Sequence, residues 1–189
     1  MKQSPESLTA EQSLNIITQM ISNTKRNIQD GSFYFLLWGW VTALGNIGHY
    51  ILWQQIGYQH PYVIWLITIP AWIVSLIYGK KQAQKARVRT YGDRLIMWIW
   101  VGFSITAIIV IFSGKFGSAI PGLILLLAGL SAFLTGLILQ FKPLIIGGSL
   151  FWVFAPVALA FSGPESLIIS AIAIITGYLI PGYLLKNAK

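Results

Sequence analysis

Lys80–Arg94, KKQAQKARVRTYGDR, holds six of the chain's thirteen basic residues: Lys80, Lys81, Lys85, Arg87, Arg89 and Arg94. Apolar segments flank it on both sides. If those segments cross a bilayer, the stretch stays on the cytoplasmic side, where Lys and Arg next to spans collect, and the direction of every other span follows. The composition supports a bilayer. Of 189 residues, 56% are hydrophobic and only 10% charged, against about a quarter charged in ordinary globular chains. Such a chain cannot cover a water-facing surface with polar groups, so lipid must solvate much of it. The net charge of +8 would otherwise suggest nucleic acid. Here the basic residues sit at the ends of apolar runs, which membrane topology explains, and no nucleic-acid partner is expected.

Six apolar runs are predicted as spans, at about 33–53, 62–78, 95–112, 120–139, 144–161 and 167–185. Their 17 to 21 residues come close to the roughly 20 needed to cross a hydrocarbon core about 30 Å thick. The runs are continuously apolar rather than alternating, which excludes the strands of a barrel. Pro70, Pro156 and Pro181 predict kinks in the second, fifth and sixth. The first run lies behind a long polar segment and is itself long enough to span, so it reads as a span rather than a signal peptide. With Lys80–Arg94 inside, six spans put both termini inside, and twelve of the thirteen basic residues with them; only Lys115 falls outside. Aromatic residues agree with that placement. Trp38, Trp40, Tyr78, Trp98 and Trp100 lie towards the inner interface, and Trp53, Tyr62, Phe112 and Phe161 towards the outer.

Residues 1–31 are the one sizeable polar segment. Ser4-Pro5-Glu6 or Thr9-Ala10-Glu11-Gln12 starts a helix, and Ala10, Leu14, Ile17, Ile21, Thr24 and Ile28 follow at alternating steps of four and three. That is a heptad seam. Asp30-Gly31 is expected to end this helix, with Ser32 capping the next. The segment's charge is near neutral, whereas helices that lie on the inner leaflet carry a strongly basic face. Leu14, Ile17, Ile21 and Ile28 are therefore read as a protein-contact seam, towards a partner or a second copy.

The fold class is thus an all-α membrane protein: a cytoplasmic amphipathic helix over 1–31 and a six-helix transmembrane domain over 32–189. An internal likeness suggests three tandem hairpins. Leu37-Trp38-Gly39-Trp40-Val41 matches Met97-Trp98-Ile99-Trp100-Val101, and Phe112-Ser113-Gly114 matches Phe161-Ser162-Gly163.

No Asp, Glu, Lys or Arg falls inside the six runs, which argues against ion coupling and against intramembrane acid–base chemistry. No phosphate loop or HExxH pattern is present. The chain reads as no enzyme and as holding no cofactor. Its main polar feature in the membrane is Thr42, Asn46 and His49, on one side of the first span. This face either lines a solute cavity or bonds a neighbouring helix, and Gly45 and Gly48 beside it favour close packing. His49 and His60 both fall near the outer surface, without a carboxylate or thiolate to complete a metal site.

The pattern Glu6-Ser7-Leu8, then Met20-Ile21, then Phe33-Tyr34-Phe35-Leu36-Leu37-Trp38-Gly39-Trp40 and Gly48-His49-Tyr50 resembles a family of small uncharacterised polytopic bacterial membrane proteins. The likeness is specific over about residues 6–53 and implies the architecture and a bacterial inner-membrane location, but no activity. Two functions are in view. One is an accessory, scaffold or regulatory component acting through the cytoplasmic helix and the basic stretch, whose lysines and arginines also meet anionic lipid. The other is a small transporter or channel for an uncharged or amphipathic solute.

Overall fold

The computed structural model describes residues 31–85 and 91–187, and these residues are all-helical. Helix α1 covers 31–50 and runs on through a π turn, Ile51–Gln55. A 3-10 segment, Pro61–Ile67, leads into α2, Thr68–Lys85. Then come α3, Tyr91–Phe112, α4, Ile120–Leu139, and α5, Lys142–Ala160. The last helix is continuous in three parts: α6, Glu165–Ile174, a π turn, Ile175–Leu179, and α7, Ile180–Lys186. Five of the helical stretches, from Pro61 onwards, are long and apolar enough to cross a membrane.

Several boundaries differ from expectation. Lys80–Arg94 is not a fifteen-residue loop: α2 continues through Lys80 and Lys81 to Lys85, and α3 is already formed at Tyr91. Lys, Gln and Ala are good helix formers, so the helix outlasts its apolar stretch. Gly92-Asp93 lies in the first turn of α3, where Asp93 complements the helix dipole. Gly31 is helical rather than a stop, and Ser32, instead of capping, is a buried residue of α1. The segment proposed as an amphipathic helix, including Leu14, Ile17, Ile21 and Ile28, lies outside the described residues.

Two of the three prolines coincide with a change of helix type. Pro70 has no N–H for the carbonyl four residues back; the 3-10 segment just before it, with bonds only three residues long, removes that demand. Pro181 stands two residues past the π turn. The Gly177 carbonyl, four residues before it, lies inside that turn, where five-residue bonding removes the demand on Pro181, and packs against Gly147 of α5. Pro156 sits within α5, which runs unbroken to Ala160.

The core forms where small residues let backbones meet. Gly122, Leu125, Gly129, Ala132 and Gly136 make a seam along α4, with buried Leu144, Gly148, Phe151, Ala155 and Ala158 facing it from α5. A Cβ on Gly148 would stand 2.6 Å from the Phe133 nitrogen and 2.9 Å from the Gly129 oxygen. The most extensive helix–helix contact, α4 with α5, joins the second helix of one expected hairpin to the first of the next, so the three hairpins are not separate packing units. Tyr178 completes the core as an aromatic hub, 5.1 Å from Phe35, 5.9 Å from Phe151 and 6.1 Å from Trp100 between ring centres. α3 is peripheral: Ala107 is its one buried residue, and Trp98 and Phe112 are 61% and 80% exposed. Large apolar side chains turned outwards on this scale need a lipid-like solvent.

Candidate functional site

The polar face of α1 comes apart into two kinds of contact. The Thr42 hydroxyl donates to the Trp38 carbonyl one turn back, at 2.6 Å, and the Asn46 amide donates to the Thr42 carbonyl at 2.8 Å. Both bonds stay within α1, the usual local solution for such side chains in a helix, and Asn46 is buried. His49 alone reaches another helical segment. Its Nδ1 accepts from Trp65 Nε1 at 3.1 Å, which places the imidazole proton on Nε2. Gly45 and Gly48 serve this contact, since a Cβ on either would press into Trp65 or Ile64.

His49 also lines a hollow of about 600 Å³ with Trp53, Gly57, Tyr58, Gln59 and Pro61. The hollow lies at the turn between α1 and α2, and neither Thr42 nor Asn46 contributes to it. The second histidine, His60, shares a hydrogen bond with the Tyr62 hydroxyl at 2.9 Å through its Nδ1 and stands beside the Tyr58 ring. Each imidazole is thus hydrogen-bonded to the polar group of an aromatic side chain. Among the described residues no three His, Cys, Asp or Glu side chains gather.

The basic residues collect at the opposite end of α1 and α2. Lys80 and Lys81 are exposed near the end of α2, Arg94 is exposed in the first turn of α3, and Lys85 is the last residue of α2. Arg87 and Arg89 lie outside the described residues. At the same end, Phe33 stacks on Tyr78 with ring centres 3.9 Å apart, and Tyr34 meets Tyr78 edge-on at 5.6 Å. Between α1 and α2, above this aromatic clamp, runs a second hollow of about 660 Å³, with Lys186 from the end of α7 at its edge. Sequence reasoning passed over both this groove and the glycine seam of α4. The seam had a signal, the seven-residue spacing of Gly122, Gly129 and Gly136. The groove had none, because Lys186 is more than a hundred residues from the helices that form the walls.

Fold and hollows together define an all-helical protein of several membrane-length apolar helices, with an aromatic–histidine hollow at one end and basic groups at the other. No family model, curated protein or solved structure matches the chain.

Proposed function

We propose that the chain is a non-enzymatic, multi-pass protein of the bacterial inner membrane that acts as an accessory, scaffold or regulatory component. In this reading α1 is a sixth span, both termini are cytoplasmic, and an amphipathic helix over 1–31 presents Leu14, Ile17, Ile21 and Ile28 to a protein partner or a second copy. Lys80, Lys81, Lys85, Arg87, Arg89 and Arg94 would meet anionic lipid at about 1 kcal/mol each.

One observation carries the choice over a transporter: the polar groups that would line a solute path, Thr42 and Asn46, spend their donors on α1 itself. Elsewhere in the bundle α4 and α5 meet through glycine and leave no room for a path along their seam. The hollow at His49 is the feature a transporter would use, and it stops short of Asn46.

The experiment is affinity purification of the full chain in mild detergent, beside an Ile17→Asp, Ile21→Asp variant. A partner retained in fixed ratio by the parent and lost by the variant is the expected outcome. A parent that purifies alone and monomeric would overturn the accessory reading. Labelling of an Asn46→Cys variant by a water-soluble maleimide in membranes would favour the transporter; no labelling is expected.

A further inference from the structure

We propose that the groove between α1 and α2 binds one acyl chain of an anionic phospholipid, whose headgroup Lys186 holds at the groove's mouth. The proposal rests on the membrane-spanning reading above and adds a site to it. One wall is a continuous stripe of α1, in which Phe33, Leu37, Trp40 and Leu44 follow at helical steps, with Leu36 and Val41 beside them. The other wall is α2 and the 3-10 segment before it, with Tyr78 at one end and Ile67 at the other. The two helices are antiparallel, so Phe33 stacks on Tyr78 at the mouth and Leu44 and Ile67 line the far end.

The dimensions suit one lipid chain. Eleven residues of helix from Phe33 to Leu44 rise about 17 Å, close to the roughly 15 Å of hydrocarbon in one leaflet, half of a core about 30 Å thick. The groove opens sideways, where Trp40 and Leu44 are 46% and 53% exposed. Among the described lining residues the polar groups other than the Trp40 indole, namely Ser32, the Tyr78 ring and Lys186, lie at the mouth. Among the described residues Lys186 is the one charged group that lines the groove, and it is exposed in the last turn of α7. A hydrogen bond of 3.0 Å from Trp40 Nε1 to the Tyr183 hydroxyl ties that turn to the α1 wall. The ammonium therefore sits at headgroup level beside an apolar slot, the charge complement of a phospholipid phosphate. The chain's own residues 1–30 suit the slot less well. Glu11, Asn15, Gln19, Asn23 and Arg26 are interspersed among their apolar residues, and insertion would press these into hydrocarbon.

The test is native mass spectrometry of the delipidated full chain, titrated in mild detergent with phosphatidylglycerol and, separately, phosphatidylcholine. One phosphatidylglycerol should bind in preference to phosphatidylcholine. Lys186→Gln should weaken it about fivefold, the equivalent of about 1 kcal/mol for one basic residue at the headgroup. Lys186 is exposed, so this change leaves the fold alone. Val41→Trp, which fills the slot, should weaken binding at least tenfold, while Lys142→Gln, at an exposed lysine that does not line the groove, should change it less than twofold. Wild-type affinity in both Lys186→Gln and Val41→Trp would overturn the site. So would an equal loss in Lys142→Gln, which would indicate a diffuse basic surface. A photocrosslinker at position 41 that captures residues 1–30 instead of lipid would also overturn it. A chain released from membranes by alkaline carbonate would overturn the spanning reading and the site with it. A chain that needs detergent yet retains no lipid overturns the site alone.

Discussion

Gln140 closes α4 at φ +52° and ψ +36°, left-handed backbone where glycine is the usual residue, and it alone among the described non-glycine residues has a positive φ. The hydrogen bonds explain why the chain accepts this. Gln140 N–H reaches the Leu137 carbonyl at 3.2 Å and Phe141 N–H reaches the Gly136 carbonyl at 2.9 Å, the paired closure of a Schellman motif. That closure turns the chain tightly enough for α5 to start at Lys142 and lie along the glycine face of α4. A side chain in this region costs roughly 1–2 kcal/mol, and glycine returns about 0.4–1 kcal/mol of that as extra freedom in the unfolded chain. Gln140→Gly should therefore stabilise the protein by about 0.5–1 kcal/mol, and Gln140→Val should destabilise it. Thermal unfolding in detergent would read both, and a lower midpoint for the glycine variant would contradict the geometry. The His49–Trp65 bond permits a second check at the same scale. Interhelical bonds of this kind average about 0.6 kcal/mol and reach about 1.7. A double-mutant cycle with His49→Phe and Trp65→Phe should give a coupling within that range; a coupling of zero would mean that shape alone holds α1 against the segment Pro61–Ile67.

At the scale of the helix, glycine means opposite things in neighbouring elements. A Cβ on Gly148 would meet three backbone atoms of α4, with Phe133 Cα also at 2.9 Å, so α4 and α5 would have to separate to admit it. Gly102 in α3 has nothing within 4 Å of that position. Gly148→Ala should cost about 1–3 kcal/mol as overpacking. Gly102→Ala should be neutral or stabilise by up to about 1 kcal/mol, through helix propensity alone. The same unfolding assay compares them, and similar losses at the two sites would rule out the seam as the source. The difference between these glycines was only partly legible in the sequence. The seven-residue spacing of Gly122, Gly129 and Gly136 can be seen there. A reading by charge and apolar length passes over it, because glycine alters neither. That α4 and α5 meet across two expected hairpins, while α3 stays at the edge, depends on tertiary contacts that no single helix encodes.

For the molecule as a whole, apolar length reports the bilayer and helix propensity reports the helix, and the two quantities part company at the ends. All six apolar runs fall on helical stretches, yet α2 extends to Lys85 and α3 begins at Tyr91, because Gln82, Ala83, Gln84 and Lys85 favour helix without favouring lipid. The side chains of the candidate polar face divide for a related reason. Periodicity placed Thr42, Asn46 and His49 on one side, but it cannot say whether a hydroxyl or amide turns back to the carbonyl four residues before it, as Thr42 and Asn46 do. Orientation depends on charge alone and permits a prediction that also counts the spans. The chain has no cysteine, so single cysteines report without background. Gln84 near the end of α2, Ser118 before α4 and Gln54 in the π turn after α1 are all exposed. With the basic ends inside, Ser118→Cys should react with an impermeant thiol reagent in intact cells, and Gln84→Cys only after permeabilisation. Gln54, across the α2 span from Gln84, belongs on the side of Ser118 whether or not α1 crosses, so a cysteine before α1 decides the role of that helix. If α1 crosses the membrane, Gln3→Cys should stay unlabelled until the cells are opened. If α1 does not cross, position 3 stays on the side of Gln54, and Gln3→Cys should label in intact cells, blocked by prior treatment with an impermeant maleimide. Labelling of Gln54 and Ser118 together, with Gln84 and Gln3 protected, is the pattern that six spans with the basic ends inside require.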